Sequence, residues 1–300
     1  MKRNIYPTFG SVVLLTALLA GCAEPEPKGQ EEEAQEISVE EANDNAVTSK
    51  LLKLDSEIFS LPSPIQTAMI LRQNEIEYNE KLLNDPENAE RYINQFQQAV
   101  NMGVYGADLA YLSNFNNSQL KLDYFKTVED LSQKLDIRSS IDQSIIDRFA
   151  ANIENRDSLY LLNAELFRTA DKYLKENSDK DLAALILAGG WVEAMHLTLD
   201  ASFEVTDLRS RIGEQGTAAQ SLKNLLAENP STQAKELGDM LGELAASFAG
   251  MESTYKYVKP ITDGTEKVTY LNSKSSVVVT DEQLKEVQTK IAEIRNYITQ

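Results

Sequence analysis

The chain has 300 residues, and its 47 acidic residues outnumber its 29 basic residues to give a formal net charge of −18. So acidic a protein is repelled by nucleic acid and by anionic lipid surfaces, which excludes nucleic acid as a partner. Solubility beside a crowded membrane is the simplest reason for the charge; attraction of a cationic partner or a bridging divalent ion is the alternative. The only cysteine is Cys22, so the rest of the chain has no disulfide, catalytic thiol or cysteine metal site, which suits an envelope compartment.

Residues 1–21 have the composition of a signal peptide. Lys2 and Arg3 give a basic start, residues 12–20 form a short apolar region, and small residues precede Cys22. The tetrapeptide LAGC at residues 19–22 resembles the lipobox of bacterial lipoproteins. That resemblance implies cleavage before Cys22, a diacylglycerol on its sulfur and a membrane anchor of acyl chains such as palmitate. The alternative is an ordinary secretory signal with a chance cysteine.

The residues after Cys22 predict a location and a tether. In lipoproteins an aspartate after the cysteine often favours the inner membrane, so Ala23 implies the outer membrane, at its periplasmic face or at the cell surface. Residues 22–45 are acidic, include the run Glu31–Glu33 and hold too few apolar side chains to fold. About 24 residues of flexible chain reach roughly 25–30 Å, which would hold the body off the membrane. The acidic tract also looks similar to a surface-export signal of some Bacteroidota lipoproteins.

Residues 46–300 predict a single helical domain. Apolar residues recur at helical spacing from Leu51 to Phe59, after Pro64, and again along residues 122–173. The same spacing along residues 89–110 predicts a long amphipathic helix. Pro64 suits the first position of a helix, so a helix is expected to begin there.

The most apolar stretch outside the signal is residues 182–199. It contains the only tryptophan, Trp191, and the only histidine, His196. Its apolar residues cover almost the whole circumference of a helix, which is typical of a helix buried on nearly all sides. Its length nearly spans a bilayer, but Glu193 and His196 interrupt it, which favours a core helix over a membrane span. We expect the other helices to pack around it.

The last third of the chain predicts a different arrangement. Gly213 and Gly216 predict a break within residues 208–226, and residues 237–248 predict another helix. A short β-hairpin is expected near residues 266–279, with Val277–Val279 paired to Val268–Leu271.

Thr280 and Gln283 match a capping box, so a C-terminal helix is expected at residues 281–298. Its narrow apolar seam should dock on another helix. The fold class is therefore all-α: a multi-helix antiparallel array around a buried central helix, with a short hairpin before the last helix.

Several segments together resemble a family of uncharacterised helical lipoproteins of Bacteroidota. They are the lipobox, LPSP at residues 61–64, GVYGADL at 103–109 and LAGGWVE at 187–193. The resemblance covers most of the body up to residue 250, and it implies an all-helical fold and an envelope location. It implies no activity, so no catalytic residue can be transferred.

The central helix carries a candidate metal motif. Glu193, His196 and Asp200 share one face, and Glu-x-x-His resembles half of a helical di-iron site. The second half needs another histidine, so only a mixed carboxylate site with Asp108 or Asp171 would remain. The simpler interpretation is a histidine at the edge of the core, hydrogen-bonded to a neighbouring acid. The mildest functional interpretation is a pH-sensitive contact, because pairing with Glu193 would favour the charged form of His196.

Glycines inside the predicted helices suggest a second feature. Each costs about 1 kcal/mol relative to alanine, so close helix approach or room for a ligand should offset that cost. The glycines in question are Gly103, Gly106, Gly189 and Gly190. If the two helices cross there, acidic and aromatic side chains meet near the crossing. The pocket candidates are Tyr105, Asp108, Tyr111, Trp191, Glu193 and His196.

Two functions remain. The first is a lipid-anchored cell-envelope helical binding or scaffolding protein that contacts an envelope protein or a small molecule and needs no cofactor. The alternative is a carboxylate- or metal-dependent envelope enzyme that uses Glu193 and His196. Ser253–Lys256 matches Ser-x-x-Lys, but so short a pattern often arises by chance, and phosphate loops and nucleophile elbows are absent from the sequence. An enzyme is therefore the less favoured of the two.

Overall fold

The structure is a computed structural model that describes residues 52–54, 57–59, 64–137, 143–165, 179–263, 268–270 and 274–300. The chain divides into two units, Met1–Ile37 and Ser38–Gln300. All described residues belong to the second unit. The predicted signal peptide, Cys22 and the tether through residue 45 lie outside the described residues.

Helices dominate the described residues and confirm the all-α class. Short 3-10 turns at Glu80–Leu82 and Pro86–Arg91 lie between the first two helices. The helices are α1 (Pro64–Gln73), α2 (Gln95–Leu112), α3 (Ser118–Lys134), α4 (Gln143–Ala151), α5 (residues 156–165), α6 (Lys180–Ser202), α7 (Thr206–Gly213), α8 (Gly216–Ala227), α9 (Thr232–Ser247) and α10 (Asp281–Thr299).

Local sequence accounts for several helix starts. At each of four helices a side-chain oxygen accepts a hydrogen bond from a backbone N–H of the first turn, which satisfies a donor that the helix leaves free. The capping residues of α2, α3, α6 and α9 are Asn94, Asn117, Asp179 and Ser231. Thr280 and Gln283 form the predicted capping box of α10. The predicted break near Gly213 and Gly216 separates α7 from α8.

Helix α6 lies at the centre of the body. Helices α1, α2, α7, α8 and α10 all pack against it, and Trp191 is only 2% exposed. The helix is long and apolar enough to cross a membrane, but 83% of its apolar window is buried by the rest of the body. This burial supports the prediction of a core helix.

Helix α2 differs from its prediction. It begins at Gln95 rather than near residue 89, because residues 86–91 form a 3-10 turn. It is also not amphipathic, since every residue from Ala99 to Leu112 is buried. The helix contacts α6, α3, α1 and α10, so little of its circumference is left for solvent. The spacing of apolar residues did not predict this burial, because two of the buried residues of α2, Asn101 and Asp108, are polar.

The strands correct two predictions. Residues near Leu51–Phe59, predicted from a helical period, instead contain β1 (Leu52–Leu54) paired antiparallel with β2 (Glu57–Phe59). A short apolar run does not distinguish helix from strand by its period alone. The C-terminal hairpin exists, but it is longer than residues 266–279. Its strands are β3 (Glu252–Lys256), β4 (Ile261–Asp263), β5 (Val268–Tyr270) and β6 (Lys274–Val278).

The pairing within this hairpin also differs from the prediction. Strand β5 pairs antiparallel with β4, and β6 pairs antiparallel with β3. Val277 therefore pairs with Ser253, and not with the segment Val268–Leu271. The exposed polar strand β3 has no alternating apolar residues, which is why the sequence pattern missed it.

The C-terminal helix is confirmed. It runs from Asp281 to Thr299, and its seam packs against α6, α9 and α2. The seam residues are all buried: Leu284, Val287, Ile291, Ile294 and Ile298.

Candidate functional site

Helices α2 and α6 touch through their backbones at three of the four predicted glycines, Gly103, Gly189 and Gly190. A Cβ atom added to Gly103 would lie 2.0 Å from the Ile186 carbonyl oxygen. One added to Gly189 would lie 1.9 Å from the Val100 carbonyl oxygen. Only glycine allows helices to approach this closely, so the glycines serve the helix crossing. The backbone of the facing helix fills the space beside these two glycines and leaves no room there for a ligand.

The crossing brings Asp108 of α2 close to Glu193 of α6, and both are 0% exposed. The Asn84 backbone N–H donates a hydrogen bond to Oδ2 of Asp108, at 3.2 Å. Burial, and then the nearby Glu193 carboxylate, raise the pKa of Asp108 well above its usual range.

The surroundings of Oδ1, the second carboxyl oxygen of Asp108, indicate how two acids can be buried side by side. Oδ1 is buried and no donor among the described residues reaches it. A protonated Asp108 would itself be the donor, with the adjacent Glu193 carboxylate as acceptor. A neutral Asp108 avoids placing two negative charges side by side in the core.

Arg295 of α10 completes this cluster. Its Nε lies 2.7 Å from Oε2 of Glu193, and its NH2 nitrogen lies 2.9 Å from Oε1. The same NH2 group donates to the Leu82 carbonyl oxygen at 2.9 Å. Two parallel bonds of this kind are strong and directional. The pair therefore holds α10 and the segment before α2 against α6.

More buried hydrogen bonds join the same elements. The Asn84 side chain donates to the Tyr92 hydroxyl at 3.1 Å, and that hydroxyl donates to the Thr299 carbonyl at 3.3 Å. Asn101 of α2 donates to the Ile298 carbonyl at 2.6 Å. These bonds satisfy carbonyl groups that the end of α10 leaves free. The cluster therefore fixes the end of the chain to α2.

His196 lies one turn beyond Glu193, half-buried at the edge of the core as predicted. The predicted hydrogen bond to a neighbouring acid is not formed, because His196 Nε2 has no partner among the described residues. Burial lowers the pKa of His196, against the attraction of Glu193, so its neutral form is favoured. This reverses the expectation from sequence, because desolvation outweighs the neighbouring acid and Glu193 is already paired with Arg295. Asp200, on the same helix face, instead accepts a hydrogen bond from Gln288 at 2.7 Å.

The metal hypothesis gains little from this geometry. Arg295 binds both oxygens of Glu193, which a metal ion would otherwise need. Asp171 lies outside the described residues. Within the part of the chain that the structure describes, no group of three or more His, Cys, Asp or Glu side chains is arranged to hold a metal ion.

The three aromatic candidates form hydrogen bonds with different residues and, within the described part of the chain, do not line a common pocket. Tyr105 donates to the Asp85 carbonyl at 2.8 Å, and the Tyr111 hydroxyl accepts from the Asn79 backbone N–H at 3.0 Å. The indole N–H of Trp191 donates to Gln215 at 3.2 Å. All three rings are almost fully buried. The structure therefore brings Asp108, Glu193 and His196 together, while the rings anchor three other segments.

A groove of about 330 Å³ lies elsewhere on the body. It is lined by the starts of α2, α6 and α9, and by none of the pocket candidates. The caps Asn94, Asp179 and Ser231 already accept hydrogen bonds from their own helices. Its lining therefore has no uncapped helix start to offer a ligand.

Sequence reasoning did not identify four residues of the buried polar cluster: Arg295, Asn84, Tyr92 and Asn101. Arg295 carried a usable signal, because it follows Ile291 by four residues and so lies beside the apolar seam of α10. The asparagines carried none, since buried and exposed asparagines look alike in a sequence.

Comparisons with protein-family models, curated proteins and solved structures found no match to the chain. The resemblance to Bacteroidota lipoproteins therefore rests on its motif segments alone. Two of them, residues 103–109 and 187–193, contain the glycines at which α2 and α6 cross.

Replacing Asp108 with Asn should change how stability depends on pH. Because the folded state raises the pKa of Asp108, the folded state binds more protons than the unfolded state above about pH 4, and stability falls as the pH rises. Asn keeps a donor for Glu193 and an acceptor for Asn84 but does not ionise. We expect Asp108→Asn to be at least as stable as the wild type at pH 7, and to lose this advantage near pH 4. Urea unfolding between pH 4 and pH 8 measures both; a wild type that gains stability over the variant with rising pH would contradict a protonated Asp108.

Proposed function

We propose that the protein is a lipid-anchored protein of the bacterial outer membrane, and that its helical body binds or holds a partner rather than catalysing a reaction. The observation that carries this proposal is the lipobox-like LAGC at residues 19–22, which follows a basic start and an apolar region. Several acyl chains on Cys22 would anchor the body firmly, because each buried CH₂ group contributes about 0.8 kcal/mol. Ala23 is the residue that supports the outer rather than the inner membrane.

The described body supports a binding or scaffolding role. Its polar cluster of Asp108, Glu193 and Arg295 is buried and bonded internally. The glycine crossing of α2 and α6 is closed by backbone contact. Such a core holds the helices in one arrangement, so contacts with an envelope protein or a small molecule would be made at its surface.

Replacing Cys22 with Ser tests the anchor. Serine has no thiol to carry the diacylglycerol, so the variant should leave the membrane fraction or accumulate with its signal attached, and it should take up no labelled fatty acid. The wild type should be found in the membrane fraction and carry the label. Cell fractionation with metabolic labelling by a palmitate analogue measures both properties. Equal membrane retention and equal labelling of the two proteins would refute the proposal.

A further inference from the structure

Strand β3 has an edge that is unpaired within the described residues. It pairs with β6 on one side only, in a two-stranded antiparallel sheet. On the far side of β6, the Val277 N–H donates to the Ser210 hydroxyl of α7 at 2.9 Å, so the body covers that edge. An unpaired strand edge presents backbone donors and acceptors that can pair with another strand.

The register shows which groups β3 presents. The Val277 N–H points away from β3, so Val277 and its partner Ser253 form a non-hydrogen-bonded pair whose backbone groups face outward. By the alternation of a strand, the backbone groups of Tyr255 face outward as well. The backbone groups of Thr254 face inward, toward β6. Its hydroxyl lies 2.8 Å from the Ser276 hydroxyl on the same hairpin.

The strand is exposed along its whole length. All five residues of β3 are exposed, and Tyr255 is 69% exposed. Val278 of the paired strand is 58% exposed. A two-stranded hairpin that covers so little apolar surface is only marginally stable by itself. An added strand would therefore both fill the edge and cover apolar side chains.

The sequence of β3 is complementary to itself. We propose that a second copy of this chain pairs with this edge, β3 against β3, with a two-fold axis at Thr254. In that antiparallel register Ser253 lies opposite Tyr255 of the other copy, and both present outward-facing backbone groups, as hydrogen-bonded pairs require. The result is a four-stranded sheet that runs across two molecules.

Charge supports a second copy as the occupant. In the same register Glu252 lies opposite Lys256 of the other copy, and the two-fold axis makes this pair twice. Both side chains are exposed. A lysine on an edge strand normally opposes pairing, but opposite charges directly across a sheet are favourable. This interface is symmetric, as most contacts between identical subunits are, and it does not depend on the lipid anchor.

Single cysteine variants of the full chain test this register in cells. At the axis, Thr254 and its copy form a non-hydrogen-bonded pair with Cα atoms about 4.5 Å apart, which a disulfide can span. Glu252 and its copy would lie about 14 Å apart along the strands, which a disulfide cannot span. Under mild oxidation Thr254→Cys should give a covalent product of twice the monomer mass, and Glu252→Cys should not. Cys22 is present in both variants, so any bond through it would appear equally in both.

Charge reversal gives a second test in the Thr254→Cys background. Lys256→Glu would place like charges together at both ends of the register, and we expect the dimer yield to fall several-fold. Adding Glu252→Lys restores opposite charges and should restore the yield. Lys256 pairs with Lys274 within its own hairpin, so an acid at this position should not weaken that hairpin. No dimer, equal dimer at positions 252 and 254, or a product with another protein would each overturn the proposal.

Discussion

Replacing Gly189 with Ala should lower the free energy of unfolding by about 3 kcal/mol or more, because the new methyl group meets backbone atoms that cannot rotate away. Its Cβ would lie 1.9 Å from the Val100 carbonyl oxygen, so α2 and α6 would have to separate. In a chain of this size such a loss lowers the midpoint of thermal unfolding by roughly 10 °C. Thermal and urea unfolding of purified protein measure the change.

Gly238→Ala is the matched control, because Gly238 also lies inside a helix, α9. A Cβ there would lie 3.4 Å from Cβ of Leu226, which is ordinary van der Waals contact. The substitution should therefore be neutral or stabilise the protein by about 0.5–1 kcal/mol, the usual gain from removing a helical glycine. Equal stability of Gly189→Ala and Gly238→Ala would contradict the close backbone contact between α2 and α6.

Replacing Arg295 with Met should have an effect of similar size. It would leave the buried Glu193 carboxylate without its cation, and breaking a buried ion pair costs about 3–5 kcal/mol. The double variant Glu193→Leu, Arg295→Met removes both charges and should recover much of that loss. A double-mutant cycle of urea unfolding measures the interaction between the two positions.

The exposed pair Arg72–Asp157 is the control for Arg295. Its N–O distance is 2.8 Å, but its two side chains are 42% and 45% exposed. Solvent screens such pairs, so Arg72→Met should cost about 1 kcal/mol or less. Equal losses from Arg72→Met and Arg295→Met would show that the buried cluster does not hold the helices together.

Much of the helical framework could be predicted from the sequence because its signals are local. The continuous apolar surface of residues 182–199 predicts a helix buried on nearly all sides, and α6 is such a helix. The capping box and seam of α10 lie within one segment. The glycines also gave a correct prediction of the crossing, since an uncompensated helical glycine is unfavourable.

The candidate site was harder to predict because its contacts are long-range. Arg295 and Glu193 are separated by 102 residues, and both belong to helices whose mutual orientation the sequence does not give. The preferred protonation state of Asp108 depends on its complete burial, which the spacing of apolar residues in the sequence does not show. The neutral His196 follows from the same burial. Sequence patterns identify side chains, but desolvation by distant elements sets their charges.

Mass spectrometry of the N-terminal peptide, taken from protein purified out of the membrane fraction, tests whether a lipid anchors the helical body. The mature chain should begin at Cys22, and this residue should carry the added mass of a diacylglycerol. A chain that keeps residues 1–21, or one that begins elsewhere with no lipid on Cys22, would contradict the lipid anchor.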